Sequence, residues 1–94
     1  MAAMSASGGA VRAVTDEQIL DAYRFLAARE GVFCEPASAA GVAGLLAYGA
    51  GDCHRVVCVL TGHGLKDPQT ALDQAPAVLP CDPELSAIER AVLA

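Results

Sequence analysis

The side chains able to do chemistry gather in one short stretch, Thr61-Gly62-His63-Gly64-Leu65-Lys66-Asp67. Thr61 carries a hydroxyl that can donate or accept a hydrogen bond. His63, between two glycines, could shuttle a proton, as imidazoles do near neutral pH; the alternative is a turn residue tied to a backbone carbonyl. Lys66 is the only lysine of the chain and reads as a solvated or locally paired charge. Glu35 stands just before Pro36, where a carboxylate can face a site at the end of a strand or cap the following helix through its dipole. Cys53, His54 and Cys58 do not have zinc-ligand spacing, and Cys34 and Cys81 lie far off in unlike contexts. Buried, inert cysteines are the expectation for them, and no metal is assigned.

What must position Thr61 is the run before it, Val56-Val57-Cys58-Val59-Leu60. Short, apolar and rich in β-branched residues, it reads as a strand buried on both faces. The pair Gly62 and Gly64 lets the chain turn sharply and approach something closely. In an open α/β sheet, ligands bind beyond the carboxyl ends of the strands, which is where Thr61 falls. Upstream, Thr15-Asp16-Glu17-Gln18 has the form of a capping box, and Ile19, Leu20, Tyr23, Leu26 and Ala27 recur at helical spacing. These predict an amphipathic helix over 16–30, stopped by Gly31. Val32-Phe33-Cys34 reads as a short strand ended by Glu35-Pro36. Residues 37–48 are almost wholly Ala, Gly, Val and Leu, with Ser38 the one early polar group, and predict a buried helix. Asp67-Pro68 starts a short helical turn through Leu72. Residues 75–80 are broken by proline into an extended linker. Asp82-Pro83-Glu84 opens a terminal helix striped by Leu85, Ile88 and Val92.

The order of elements implies an α/β fold, a partial three-layer arrangement of short parallel strands with helical crossovers. The expected division is a flexible start at 1–9, a main body at 10–72, a linker at 73–82 and a terminal helix at 83–94. The chain has 94 residues, enough for one small domain. Yet 54% of them are hydrophobic and only 18% charged, more apolar than a surface-rich small domain needs. This reads as part of a larger core, or as an alanine-rich bias that inflates the apolar count. The net charge of −5 comes with six scattered basic residues, which disfavours nucleic acid as a partner. No apolar run has the roughly 18 residues of a membrane span, and the first ten residues do not form a secretory signal. A cytoplasmic protein with reduced thiols is the expectation.

The word Thr61-Gly62-His63-Gly64-Leu65-Lys66-Asp67-Pro68 behind a hydrophobic run resembles the closing part of threonine synthase, a pyridoxal-phosphate enzyme. Val14-Thr15-Asp16-Glu17, Gly31-Val32-Phe33 and Glu35-Pro36-Ala37-Ser38-Ala39-Ala40 are similar to the same family in the same order. So is Ser7-Gly8-Gly9 followed by 10–14, a short strand in that family. The resemblance runs from about Ser7 to Leu72. It implies that these residues are the C-terminal part of the larger domain of a lyase that converts O-phosphohomoserine and water to threonine and phosphate.

The cofactor implied is pyridoxal 5'-phosphate, with Thr61 hydrogen-bonded to its pyridine nitrogen. A neutral hydroxyl partner does not enforce a protonated ring, so it tunes how strongly the ring withdraws electrons. The family's Schiff-base lysine lies in a Ser-Phe-Lys-Asp-type motif of the front half, and its phosphate loop is rich in glycine and asparagine. Neither occurs in these 94 residues, which contain no asparagine. The resemblance therefore implies that this segment alone is inactive, that it associates with an N-terminal part or as a homodimer, and that no residue in it is catalytic. Two alternatives are a related threonine or serine dehydratase, which the Thr61 to Pro68 word disfavours, and a non-catalytic α/β interaction module. The apolar second helix and unpaired sheet edges lead us to expect that the isolated residues associate or take up a hydrophobic dye.

Overall fold

A computed structural model of the chain describes residues 2–93. Met1 and Ala94, which the expected flexible start and terminal helix include, lie outside the described residues. Among the described residues there are five α-helices: α1 (Ala2–Ser7), α2 (Asp16–Phe25), α3 (Ala40–Tyr48), α4 (Pro68–Gln74) and α5 (Leu85–Leu93).

The capping box starts α2 as its residues require. The Gln18 N–H donates to Thr15 Oγ1 at 3.1 Å, and the Thr15 N–H donates to Gln18 Oε1 at 2.8 Å. Two orphan donors of the first turn are thereby satisfied. Past Phe25 the helix widens into a π-helical turn, Leu26–Glu30, and stops at Gly31 in the left-handed conformation with φ 65°. The expected span of 16–30 is thus helical throughout, with its last turn widened by one residue. Pro36 opens a 3-10 turn, Pro36–Ala39, that runs into α3; proline suits this place because its missing N–H has no partner to lose. Asp67 caps α4, its carboxylate accepting from the Thr70 N–H at 3.1 Å and the Thr70 hydroxyl at 2.7 Å. These bonds hold its pKa below the ordinary aspartate value.

The core is small. Ala22, Tyr23 and Leu26 of α2 and its π turn meet Cys34, Ala39, Val42 and Ala43, with Val14, Ile19, Cys58 and Leu60 packed against them. The described helices α1, α4 and α5 bury no residue. The radius of gyration is 17.9 Å and the extents are 61 × 28 × 19 Å. A compact chain of this length would have a radius of about 12 Å, so most of this one lies outside its own core.

Several expectations are corrected. The parallel strands do not form: among the described residues there is no ladder, only one isolated antiparallel bridge between Cys34 and His63. A strand exists through its neighbours' hydrogen bonds, and the non-helical backbone bonds include none from Val56 to Leu60. Nor is that run buried on both faces. Val57 and Val59 are 82% and 72% exposed, while Cys58 and Leu60 pack inward. The period of two is that of an extended segment with one face covered. α3 is not enclosed either: Val42 and Ala43 are buried, but Leu46 and Tyr48 are exposed. Residues 2–7, within the expected flexible start, form α1, closed by the Gly9 N–H on the Met4 carbonyl at 3.1 Å. α4 runs two residues past Leu72, into the expected linker at 73–82, and α5 starts at Leu85, two residues after Pro83.

The four thiols differ sharply in setting. Cys34 is buried and its thiol is pushed up by that burial, an effect partly offset by a backbone hydrogen bond. Cys53 and Cys81 are exposed. Since the thiolate is the reactive form, iodoacetamide at neutral pH should label Cys53 and Cys81 first and Cys34 only after unfolding, as read by mass spectrometry. Labelling of Cys34 at the pace of the other two would contradict this packing.

Candidate functional site

The extended run 56–60 delivers Thr61 to the surface beside the turn that follows Pro36. The two segments are tied by their backbones. The Glu35 N–H donates to the Gly62 carbonyl at 2.9 Å, and the Gly64 N–H donates to the Phe33 carbonyl at 3.1 Å. Between these bonds sits the Cys34 and His63 bridge. The register brings Ser38 under Thr61. The Gly62 N–H donates to Ser38 Oγ at 2.8 Å, and Ser38 Oγ lies 3.0 Å from Thr61 Oγ1. Ser38 is buried while Thr61 is exposed.

The glycines of the turn are explained by approach rather than by φ. Neither Gly62 nor Gly64 has positive φ. A Cβ on Gly62 would sit 3.0 Å from Glu35 Cβ, 3.1 Å from Glu35 Cδ and 3.1 Å from Ser38 Oγ. A Cβ on Gly64 would run into the Phe33 ring. That ring is held edge-on by Tyr23, with centroids 6.4 Å apart, and by His63 at 5.4 Å.

His63 has a local task. Its Nδ1 accepts from the Leu65 N–H at 3.0 Å, capping the 3-10 turn Gly64–Lys66. The turn-residue alternative holds, but the partner is a backbone donor and not the carbonyl expected. Lys66 is exposed at the end of that turn. Glu35 occupies the cap position before the 3-10 turn without a side-chain cap bond, and its side chain lines Gly62. Tyr23 lies beneath, its phenol pushed up by burial and then by the charges of Asp67 and Cys34.

Of the residues singled out by type and spacing, Thr61 and Glu35 meet at this place, while Lys66 does not join them. Ser38 was legible only as a lone polar group in an apolar stretch; nothing local ties it to a residue 23 positions later. Chemically the site presents an exposed neutral hydroxyl, supported from inside by a second hydroxyl and a backbone N–H. No cationic or anionic side chain is hydrogen-bonded to Thr61 among the described residues. Such a donor set fits an uncharged heterocyclic nitrogen, which can accept one hydrogen bond, and so fits the ring side of pyridoxal phosphate.

Comparisons with known proteins bear on the whole chain. Residues 1–62 match the family described as pyridoxal-phosphate dependent enzyme. The chain is 54% identical over 85% of its length to a threonine synthase of Halalkalibacterium halodurans, 25% of which it covers. It is 58% identical over 79% of its length to a threonine synthase of a Synechocystis species, covering 20% of that protein. Similarity to a threonine synthase of Mycobacterium bovis is 50% over 98% of this chain and 27% of the relative. The chain therefore spans between 20% and 27% of the length of these curated relatives. No helix among the described residues is long and apolar enough to cross a membrane.

Proposed function

The chain belongs to the pyridoxal-phosphate dependent enzyme family, and from that premise we propose that it forms the cofactor-ring wall of a threonine synthase. The complete enzyme converts O-phosphohomoserine and water to threonine and phosphate. When bound, the cofactor withdraws electrons from the substrate carbon skeleton. Thr61 donates its hydroxyl to the ring nitrogen, and Gly62 keeps the backbone close enough to Glu35 and Ser38 to hold that hydroxyl in place. The observation that carries this reading is the exposed Thr61 hydroxyl braced by Ser38 at 3.0 Å, in a chain about half identical to threonine synthases along most of its length.

The remaining parts of the site belong to a longer chain. Lys66 is exposed on the 3-10 turn beyond Thr61 and is given no covalent role. The exposed valines of 56–60 become an inner strand when parallel neighbours pair with them, and the open faces of α3 and α5 are covered by the same larger domain. The alternation of inward Cys58 and Leu60 with outward Val57 and Val59 supports this, because a period of two is that of a strand with one face covered. The 94 residues alone are proposed to be inactive.

The test is a full-length enzyme in which this chain replaces the aligned segment of the Halalkalibacterium halodurans protein. It should release phosphate from O-phosphohomoserine in step with threonine. A folded chimera that binds pyridoxal phosphate and releases neither product would overturn the assignment.

A further inference from the structure

The Ser38 and Thr61 hydroxyls lie 3.0 Å apart, and by distance alone either could donate. Their surroundings decide the direction. Ser38 is only 7% exposed, and its oxygen already accepts from the Gly62 N–H at 2.8 Å. A serine hydroxyl has one proton to place and two lone pairs to fill. Among the described residues, Thr61 Oγ1 is the acceptor within reach of that proton. A buried hydroxyl proton without an acceptor costs more than the same bond gains when made. Thr61 is under no such constraint, because its outer side faces solvent.

We propose that Ser38 is a positioning residue: it donates to Thr61 Oγ1 and so commits the Thr61 proton to point outward, toward an acceptor. The consequence is selectivity for one protonation state of the ligand. An unprotonated ring nitrogen finds a donor waiting. A protonated one brings its own N–H against an O–H and is accepted only after the Thr61 proton turns aside to present the remaining lone pair. The Gly62 N–H fills one of the two lone pairs of Ser38 Oγ at 2.8 Å, so the acceptor side of Ser38 is already served and its proton is what Thr61 must receive. This inference rests on the reading of Thr61 as the ring-nitrogen partner.

The test uses the full-length chimera loaded with pyridoxal phosphate labelled with nitrogen-15 in the ring. The ring resonance and the cofactor dissociation constant are both recorded. Thr61→Val should move the resonance toward that of a ring nitrogen without a donor. Ser38→Ala should move it part of the same way and weaken binding roughly three- to tenfold. Ser38→Thr, which keeps the hydroxyl, should restore the original resonance. Ser38→Cys preserves volume with a weaker donor and should shift it in the direction of Ser38→Ala; if Ser38→Ala does not fold, this variant decides. A resonance unmoved by Ser38→Cys or Ser38→Ala, but moved by Thr61→Val, overturns the role of Ser38 and leaves that of Thr61 standing. A resonance unmoved by Thr61→Val overturns both.

Discussion

Thr61→Val in the full-length enzyme is expected to lower kcat/KM by about ten- to a hundredfold with little change in fold. Valine has nearly the shape of threonine and suits an extended segment, so the change removes a hydroxyl and little else. A hydrogen bond to a group whose charge changes during the reaction is worth about 1.5–3 kcal/mol, and 1.4 kcal/mol is about tenfold. Part of the loss should appear as weaker cofactor binding and part in kcat, because the proposed bond would both anchor the ring and tune it. Thr61→Ser should recover most of the activity. Steady-state kinetics at saturating pyridoxal phosphate, beside a cofactor titration, separates the two parts. Equal kinetics for Thr61→Val and wild type would remove Thr61 from the site.

Gly64→Ala should be the most damaging single-methyl change in the turn. The added Cβ would occupy the place of the Phe33 ring, and that ring is fixed between Tyr23 and His63. Overpacking of this kind costs about 1–3 kcal/mol. Displacing Phe33 also disturbs the backbone bond from Gly64 to the Phe33 carbonyl, which sets the register that brings Ser38 to Thr61. Lower stability should therefore come with weaker cofactor binding. Gly41→Ala is the control. Its Cβ would meet nothing within 4 Å, and alanine is favoured over glycine within a helix by roughly 0.5–1 kcal/mol. Urea denaturation midpoints of the two variants should move in opposite directions. An unchanged midpoint for Gly64→Ala would mean that the Phe33 ring does not occupy that space.

Much of this was legible because it is local. Thr15 and Gln18 are three residues apart, and a capping box needs nothing else. Gly31, Pro36 and Asp67 act through backbone conformation or the nearest turn, so residue type and position sufficed. The sheet was not legible in the same way. Residues 56–60 carry the composition of an inner strand, but a ladder is a property of two segments, and among the described residues no segment pairs with them. The same holds for α3: an all-apolar sequence says that the helix can be enclosed, not that these 94 residues enclose it. At the proposed site, Thr61 stands out through its place at the end of an apolar run and through the family word around it. Ser38 does not, because its significance lies in a register across 23 residues, fixed by backbone bonds at Glu35 and Gly64. His63 shows the limit of residue type, since an imidazole between glycines serves here as the cap of a 3-10 turn.

The most direct measurement is a crystal structure of the full-length enzyme carrying this segment, with pyridoxal phosphate bound. The account predicts Thr61 Oγ1 at hydrogen-bond distance from the ring nitrogen, about 2.7–3.1 Å, with Ser38 still beneath it. A ring nitrogen facing any other side chain, or a Thr61 hydroxyl turned away from the cofactor, would contradict it.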